Sequence, residues 1–292
     1  MVGTSAGEKM FHLFNYVFMC LLMVVMIYPF WYMIMGSLSD SIQATGGGFF
    51  LIPKGFSLES YKAVLTNVSL LSGFRVTVLS TIGGVAVGTF FTATTAYAVS
   101  KKRLRGRLLF SFLILFTMLF SGGLIPTYLL IKNLHMMDTY WALILPNAIG
   151  AWNIFVMVSF FRGIPEELEE AAKIDGANDL TVFFRIVLPL SNAVIATISL
   201  FIAVSYWNDF FSSVLYINTK EMWQLQMVLR DLINNTNAAL ESSGVNVSYQ
   251  RNISVFTVKM AAIIVASIPI LIVYPFLQKH FVKGAMIGSI KG

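Results

Sequence analysis

The residues whose types and spacing could do chemistry are concentrated in one segment, residues 162–189. Glutamates at 166, 167, 169 and 170 follow Pro165 there. The helix dipole favours carboxylates in a first turn, and proline is tolerated there because its missing N–H costs nothing. Leu168, Ala171 and Ala172 are spaced to share one helix face. The segment predicts a short acidic helix with a smooth side. It is either a docking element for a soluble partner or an amphipathic turn.

A second helix is predicted directly after this one. Gly176 is placed to end the first helix with a left-handed residue, and Asn178 or Asp179 is placed to cap the next. Pro189 is expected to stop the second helix. Its apolar residues recur at helical spacing and predict a single stripe: Leu180, Phe183, Phe184, Val187 and Leu188.

Catalytic and metal-binding motifs are missing from the sequence. The three histidines, His12, His135 and His280, are far apart, and the chain contains no HExxH motif and no Ser-His-Asp candidate. A GxxxxGK[ST] phosphate-binding loop is also missing, so we do not expect the chain to bind ATP by that route. The sequence predicts no catalytic residues, no metal and no cofactor of its own.

The composition is that of an integral membrane protein. Hydrophobic residues make up 57% of the 292 residues and charged residues only 12%, where soluble domains carry about 25%. A bilayer core takes roughly 20 apolar residues as helix. Because no apolar stretch alternates with period two, the sequence predicts an all-α membrane protein of six transmembrane helices. Six windows approach the required length without an acidic or basic residue: 11–35, 76–99, 108–131, 141–161, 190–208 and 260–278.

The orientation follows from the basic residues in short loops. The connection 100–107 carries five of them, and the next connection, 132–140, carries only Lys132. Basic loops face the cytoplasm, which places segment 162–189 and both termini inside. The predicted division along the chain is then a cytoplasmic segment 1–10, a first helix 11–35, an outer loop 36–75, a core 76–278 with a second outer loop 209–259, and a cytoplasmic tail 279–292.

Several windows are built for packing against other helices. Gly84 and Gly88 form a small-xxx-small face, which lets two backbones approach. Glycines and prolines interrupt the later windows at Gly122, Gly123, Pro126, Pro146, Gly150, Pro269 and Pro275. Such breaks indicate either kinks in a static helix bundle or a helix bundle that opens a transport path. No window carries a charge at its centre, which argues against an ion-coupled carrier.

The segment 162–189 resembles the EAA loop of bacterial ABC importer permeases. The pattern is Glu170-Ala171-Ala172, then Asp175-Gly176, then nine residues, then Ile186-x-Leu188-Pro189. The resemblance implies the type I importer permease fold, with this loop between the fourth and fifth spans. It also implies that the loop couples to an ATPase through these residues: Glu170, Ala171, Ala172, Asp175, Gly176, Ile186, Leu188 and Pro189.

Other stretches are similar to carbohydrate-importer permeases. The end of the chain, residues 278–292, resembles permeases related to the G subunit of the maltose transporter. Residues 122–128 and 206–209 resemble the branch for oligo- and polysaccharides, which includes alginate importers. In the related maltose subunit the tail reaches between the ATPases; for residues 283–292 the alternative is a disordered polar end.

The resemblance implies several partners. A second, homologous permease would form a heterodimer with this chain and complete the transport path. The small-residue faces are consistent with a large interface between the two permeases. Two cytosolic subunits would bind ATP and magnesium, and an extracytoplasmic solute-binding protein would deliver the carbohydrate. The location implied is the bacterial inner membrane. The alternatives are an ion-coupled secondary carrier, a membrane enzyme acting on lipid or glycan, and a permease of the same family for a non-sugar solute.

Candidate sugar contacts are aromatic and amide residues near the breaks and outer ends of the windows. Aromatic faces and a few convergent polar groups are what a carbohydrate site needs. The candidates for the substrate path are Tyr128, Asn147, Trp152, Asn153, Tyr206, Trp207 and Asp209. Each could equally be an interfacial aromatic or a packing residue.

Overall fold

The computed structural model describes residues 6–44, 50–242 and 255–289, and this part of the chain is helical with no strand. We label the α-helices in chain order. They are α1 (Ala6–Ser37), α2 (Ser41–Ala44), α3 (Glu59–Thr66), α4 (Val68–Ser100), α5 (Arg107–Leu119), α6 (Leu124–Asn133), α7 (Tyr140–Ile144), α8 (Ala151–Arg162), α9 (Glu166–Ile174), α10 (Asp179–Leu190), α11 (Asn192–Trp207), α12 (Phe211–Tyr216), α13 (Leu225–Ser242) and α14 (Val255–Ser289).

Three stretches are long and apolar enough to cross a membrane unbroken: Gly7–Ser37, Val68–Ser100 and Phe256–Val273. Three bent pairs satisfy the same criterion together, so the described residues hold up to six spans, as the sequence predicts. The pairs are α5 with α6, bent by 110°, Tyr140–Asn147 with α8, bent by 55°, and α10 with α11, bent by 83°.

The bends in windows 108–131 and 141–161 lie at the glycines and prolines that interrupt these windows in the sequence. The first bend lies at Gly123, whose φ of +89° takes the chain out of helical geometry. The second follows a 3-10 turn containing Pro146 and lies next to Gly150, which is extended. The glycines and prolines noted in the sequence therefore divide these windows into separate helices.

The chain contacts divide into two units, Met1–Val68 with Leu229–Ser267, and Ser69–Val228 with Ile268–Gly292. In the first unit, α1 exposes apolar residues along its length. The loop after α1 is held by buried hydroxyls. The Ser60 hydroxyl donates to that of Thr257 at 2.8 Å, and Ser41 lies 3.1 Å from the same oxygen. The predicted outer loop 36–75 is thus partly folded, with residues 45–49 outside the described part.

The core of the second unit joins α4, α8, α10 and α11. Glycines on α4 allow close approach. A Cβ at Gly88 would lie 2.6 Å from the carbonyl oxygen of Ala148, and one at Gly84 would overlap the ring of Tyr206. The small-residue face is therefore a packing face, as predicted, but its contacts lie within this chain. This corrects the expectation that the small-residue face forms the interface with a second permease.

A buried polar network fastens the start of α13 to the N-terminal half of α4. The side-chain amide of Gln224 accepts from Ser213 at 3.0 Å and donates to Ser80 at 3.4 Å. Thr77 accepts from the backbone N–H of Leu225 at 2.7 Å. All these polar side chains are buried and hydrogen-bonded, so they tie part of the predicted outer loop 209–259 to the helices. Residues 243–254 of that loop lie outside the described part.

Candidate coupling segment and transport path

The acidic helix forms where the sequence predicts it. Pro165 is the residue before α9, and the first turn carries Glu166, Glu167 and Glu169. The helix ends in a Schellman arrangement: the N–H of Ala177 donates to the carbonyl of Ala172 at 2.9 Å, and the N–H of Gly176 to that of Lys173 at 3.0 Å. Gly176 has a φ of +84°, which confirms its predicted left-handed conformation.

The second helix, α10, is capped by Asn178. Its side-chain oxygen accepts from the backbone N–H of Thr181 at 2.8 Å, which decides between the two predicted caps. The helix ends at Leu190, one residue after Pro189, with Ser191 as its C-cap, so it stops within one residue of the predicted position. Pro189 follows a π turn over Phe183–Val187, in the first turn of a short α-helical stretch, where the missing N–H is tolerated.

The buried face of α10 differs from the predicted stripe. The buried residues are Val182, Phe183 and Val187, whereas Leu180 and Phe184 are exposed. The prediction of one stripe containing Leu180, Phe183, Phe184, Val187 and Leu188 is therefore wrong for Leu180 and Phe184, and it missed Val182. The packing of α10 against α4, α8 and α11 decides which residues are covered, and apolar spacing alone does not show it.

The outward side of α9 is apolar at its centre. Leu168, Ala171 and Ile174 are exposed there, and Ile174 exposes 87% of its surface. Ala172, which we predicted on the same smooth face, instead packs inward against the core of the second unit. Of the coupling candidates, Glu170, Ala171, Asp175, Gly176 and Pro189 are exposed, and Ala172, Ile186 and Leu188 are partly buried. Sequence reasoning missed Ile174, although it continues the spacing of Ala171.

Ion pairs fasten the segment to the basic connection after α4. Lys101 pairs with Glu169, and Arg103 pairs with Asp179, the first residue of α10. Lys102 lies 2.8 Å from Glu166, and Lys173 lies 3.2 Å from Asp179. In the sequence we used residues 101–107 only to orient the chain. The sequence predicts that five basic residues and the acidic helix lie on the same side of the membrane. This placement could have predicted the ion pairs.

The pairs differ in their surroundings. The hydrogen bond and charge of Lys102 hold the pKa of Glu166 below its usual value of 4.5, although both side chains are exposed. Lys101 and Glu169 are shielded, with 18% and 12% of their side chains exposed. The Lys101 ammonium also lies 4.4 Å from the centroid of the Tyr97 ring, a cation–π distance.

Four of the path candidates lie around α6, α7 and α8. Tyr128 is half-buried beside the small core formed by Ile131, Ala142 and Tyr216. The exposed Asn147 donates to the Ser212 hydroxyl at 3.2 Å. Trp152 exposes 51% of its surface, with its ring centroid 5.5 Å from that of Phe201, and Asn153 is half-buried on the same helix. Their role in the path stays a prediction.

The remaining three lie at the end of α11. Tyr206 is buried and its hydroxyl donates to the carbonyl of Ile144. Trp207 is buried in a T-shaped contact with Phe74, their centroids 5.8 Å apart. Asp209 accepts from the N–H groups of Phe211 and Ser212 and so caps α12. The structure gives these residues packing and capping contacts; whether they also contact substrate stays a prediction.

The geometry is that of a helical membrane subunit with an exposed helical element between two of its spans. Residues 84–286 match the family of inner membrane components of binding-protein-dependent transport systems. The chain belongs to this family. Protein LplC of Bacillus subtilis is 46% identical over 297 residues, which cover 100% of this chain and 98% of the relative.

Two further similarities are as extensive. The polygalacturonan/rhamnogalacturonan transport system permease protein YtcP of B. subtilis is 44% identical over 290 residues, covering 98% of this chain and 99% of that one. A crystal structure of a bacterial ABC transporter involved in the import of the acidic polysaccharide alginate contains a chain with a TM-score of 0.89 and 33% identity. The match covers 96% of this chain and 100% of that one.

Membership settles the general role of the chain. It is a multi-pass membrane component with the type I permease fold, and it is a transport subunit rather than an enzyme. A binding-protein-dependent importer of this kind works with a solute-binding protein and with ATPase subunits. The predicted family is therefore confirmed.

Proposed function

We propose that this chain is a permease subunit of an ATP-driven carbohydrate importer, coupled to its ATPase through α9. The observation that carries the coupling is the outward face of α9. Leu168, Ala171 and Ile174 form an apolar patch with a small residue at its centre, on a helix that ion pairs fix to the membrane helices. An exposed apolar patch on a rigid support is typical of a protein interface.

The finer composition of the transporter is part of this proposal. A second, homologous permease would form the path with this chain as a heterodimer. Two cytosolic ATPase subunits would bind ATP and magnesium, one of them against α9, and a solute-binding protein would dock outside. Both termini of this chain would lie in the cytoplasm of a bacterial cell. The EAA-loop resemblance and the family's dependence on binding proteins support this arrangement.

The mechanism would be alternating access. Closure of the ATPases on ATP would move α9, and the core of the second unit would carry that movement into the spans, because α10 packs against α4, α8 and α11. This chain would contribute shape and contacts and no covalent step. Its bent helix pairs are breaks of the kind that membrane proteins tolerate beside a cavity or a partner.

The substrate class is proposed from the relatives' names. YtcP is named for polygalacturonan and rhamnogalacturonan, and the transporter of known structure imports alginate. Polygalacturonan, rhamnogalacturonan and alginate all contain sugar acids, so we propose that this chain carries acidic oligo- or polysaccharides. Trp152, Asn147 and Asn153 offer an aromatic face and two amides for such a ligand.

Ala171→Asp tests the coupling assignment. The charge would be desolvated at the centre of the apolar patch, so the ATPase should no longer copurify with the permease and ATP-driven uptake should be lost. Ala171→Ser is the matched control, since it adds a small neutral group, and it should keep both. Wild-type copurification and uptake by Ala171→Asp would refute the docking of α9.

Uptake by the purified transporter in liposomes tests the substrate class. Oligogalacturonides, alginate oligosaccharides and neutral maltooligosaccharides are compared, with ATP supplied to the ATPase side. Vanadate-sensitive uptake of either acidic probe supports the proposal. Uptake of the neutral probe alone refutes the acidic class, and uptake that ignores vanadate but needs an ion gradient refutes ATP-driven import altogether.

A further inference from the structure

The shielded ion pair between Lys101 and Glu169 lies at the cytoplasmic end of α4. Lys101 follows the last residue of α4, and Glu169 lies on the side of α9 that faces the protein. The glutamate is therefore turned away from the outward patch around Ala171 and toward the membrane helices. The pair joins the helix that would meet the ATPase directly to a span of 33 residues.

The surroundings of the pair make it a junction of several helices. Lys101 lies over the ring of Tyr97, whose centroid is 6.5 Å from that of Phe161 on α8 and 5.0 Å from that of Phe183 on α10. Three helices thus meet around one aromatic ring, and the ammonium on that ring reaches the fourth, α9. A displacement of α9 cannot be absorbed there without separating these contacts.

The rest of α4 is also held by close contacts. Gly88 brings its backbone against the carbonyl of Ala148, and Thr89 lies 3.0 Å from the Ser199 hydroxyl on α11. Thr77 and Ser80 hold the start of α13. A push delivered to the cytoplasmic end of α4 is therefore passed to the neighbouring helices through contacts as far as Thr77.

We propose that Lys101 and Glu169 are positioning residues that transmit movement of α9 to α4. The proposal rests on the proposed function, because it assigns a route to the coupling that α9 would begin. The pair contacts neither substrate nor ATP. Its part is to keep α9 and α4 moving as one body while the ATPases close and open.

This pair is a better transmitter than its neighbours because it is shielded. A partner removed from a shielded pair leaves an uncompensated charge, whereas exposed pairs are screened by solvent and contribute little. Lys102 and Glu166 expose 78% and 67% of their side chains. They join the same two segments with the same two residue types, which makes them a matched control.

The experiment uses the complete transporter in liposomes with its binding protein. Lys101→Met and Glu169→Gln each remove one charge at similar size, and Lys101→Arg keeps the charge and the cation–π contact. We measure copurified ATPase, binding-protein-stimulated ATP hydrolysis, and oligogalacturonides taken up per ATP. Site-to-site coupling is commonly worth about 5-fold or more, so the two neutral variants should lose at least about fivefold in stimulation and uptake per ATP.

Three further results are expected. The ATPase should copurify as in wild type, because the outward patch is unchanged. Lys101→Arg, Lys102→Met and Glu166→Gln should stay within about twofold of wild type, since exposed pairs contribute little. The double variant Lys101→Met/Glu169→Gln should lose no more than the worse single variant, because both changes break the same link.

Several outcomes would overturn the proposal. Wild-type stimulation in both neutral variants would show that the pair transmits nothing. Additive losses in the double variant would show that the two residues act separately. Loss of the ATPase from both neutral variants would show that the pair only holds the fold of α9.

Different results would refute the proposed function. Uptake and copurification that survive Ala171→Asp refute docking through α9, whatever the pair does. If the wild-type transporter hydrolyses ATP with its binding protein but takes up neither oligogalacturonides nor alginate oligosaccharides, the substrate class is wrong, and stimulated ATP hydrolysis alone decides the role of the pair.

Discussion

At the scale of single residues, the conformation of Gly176 decides where the coupling segment turns. Its φ of +84° lies in the left-handed region, and the N–H groups of Gly176 and Ala177 close the end of α9. A Cβ at this position would meet nothing within 4 Å. Glycine is therefore needed for its backbone conformation and not for lack of space. Variants that differ in their tolerance of the left-handed region can test this.

Gly176→Val should abolish carbohydrate uptake and binding-protein-stimulated ATP hydrolysis while the membrane part still assembles. A β-branched residue in the left-handed region costs about 1–2 kcal/mol or more, enough to open the turn and displace α9. Gly176→Asn is the control, since asparagine tolerates that region, and it should keep most activity. The measurements are uptake in vesicles and ATPase copurification. Wild-type behaviour of Gly176→Val would show that the turn between α9 and α10 is not needed for coupling.

At the scale of elements, α4 is a packing helix whose glycines are used inside the chain. Gly88 lies against a carbonyl oxygen, which cannot rotate away as a side chain could. Close contacts of this kind are typical of small-xxx-small faces in membranes. The exposed break between α5 and α6 is different, because a Cβ at Gly122 would meet nothing within 4 Å.

Gly88→Ala should therefore destabilise the permease, by about 1–3 kcal/mol as for other overpacked cores. Gly122→Ala introduces the same methyl group into open space and should leave stability unchanged. Thermal unfolding in detergent, followed by circular dichroism, separates the two. Equal unfolding midpoints for both variants would mean that α4 and the backbone at Ala148 move apart easily. The close contact at Gly88 would then not be needed for stability.

The elements also show what sequence could and could not predict. Spacing predicted α9, its left-handed end and the cap of α10, because these depend on residues a few positions apart. It failed on the buried face of α10, since packing against α4, α8 and α11, and not apolar spacing alone, decides which residues are covered. It also failed on the pairing of Lys101 with Glu169, because the two residues are 68 positions apart and meet only when α4 and α9 are packed.

At the scale of the whole molecule, contacts within the second unit group its loops into two sets, which the sequence predicts to lie on opposite sides of the membrane. The ion pairs of residues 101–103 with α9 and α10 require those segments to lie on one side. In the second set, Asp138 accepts from the backbone N–H groups of Asn218 and Thr219 at 2.6 and 3.0 Å, which joins the predicted outer loops. These hydrogen bonds hold the pKa of Asp138 below its usual value of 3.8. Neither argument uses the distribution of basic residues.

The two arguments and the positive-inside rule therefore converge on one topology, which thiol labelling can test. Cys20, the single cysteine, is replaced by alanine, and one cysteine is introduced at Arg105, Arg185, Asn133 or Glu221, all exposed. In right-side-out vesicles an impermeant maleimide should label the cysteines at 133 and 221. Those at 105 and 185 should react only after permeabilisation, because basic loops stay in the cytoplasm. Labelling of 105 together with 133 in intact vesicles would contradict the topology and would leave α9 where no cytosolic ATPase could reach it.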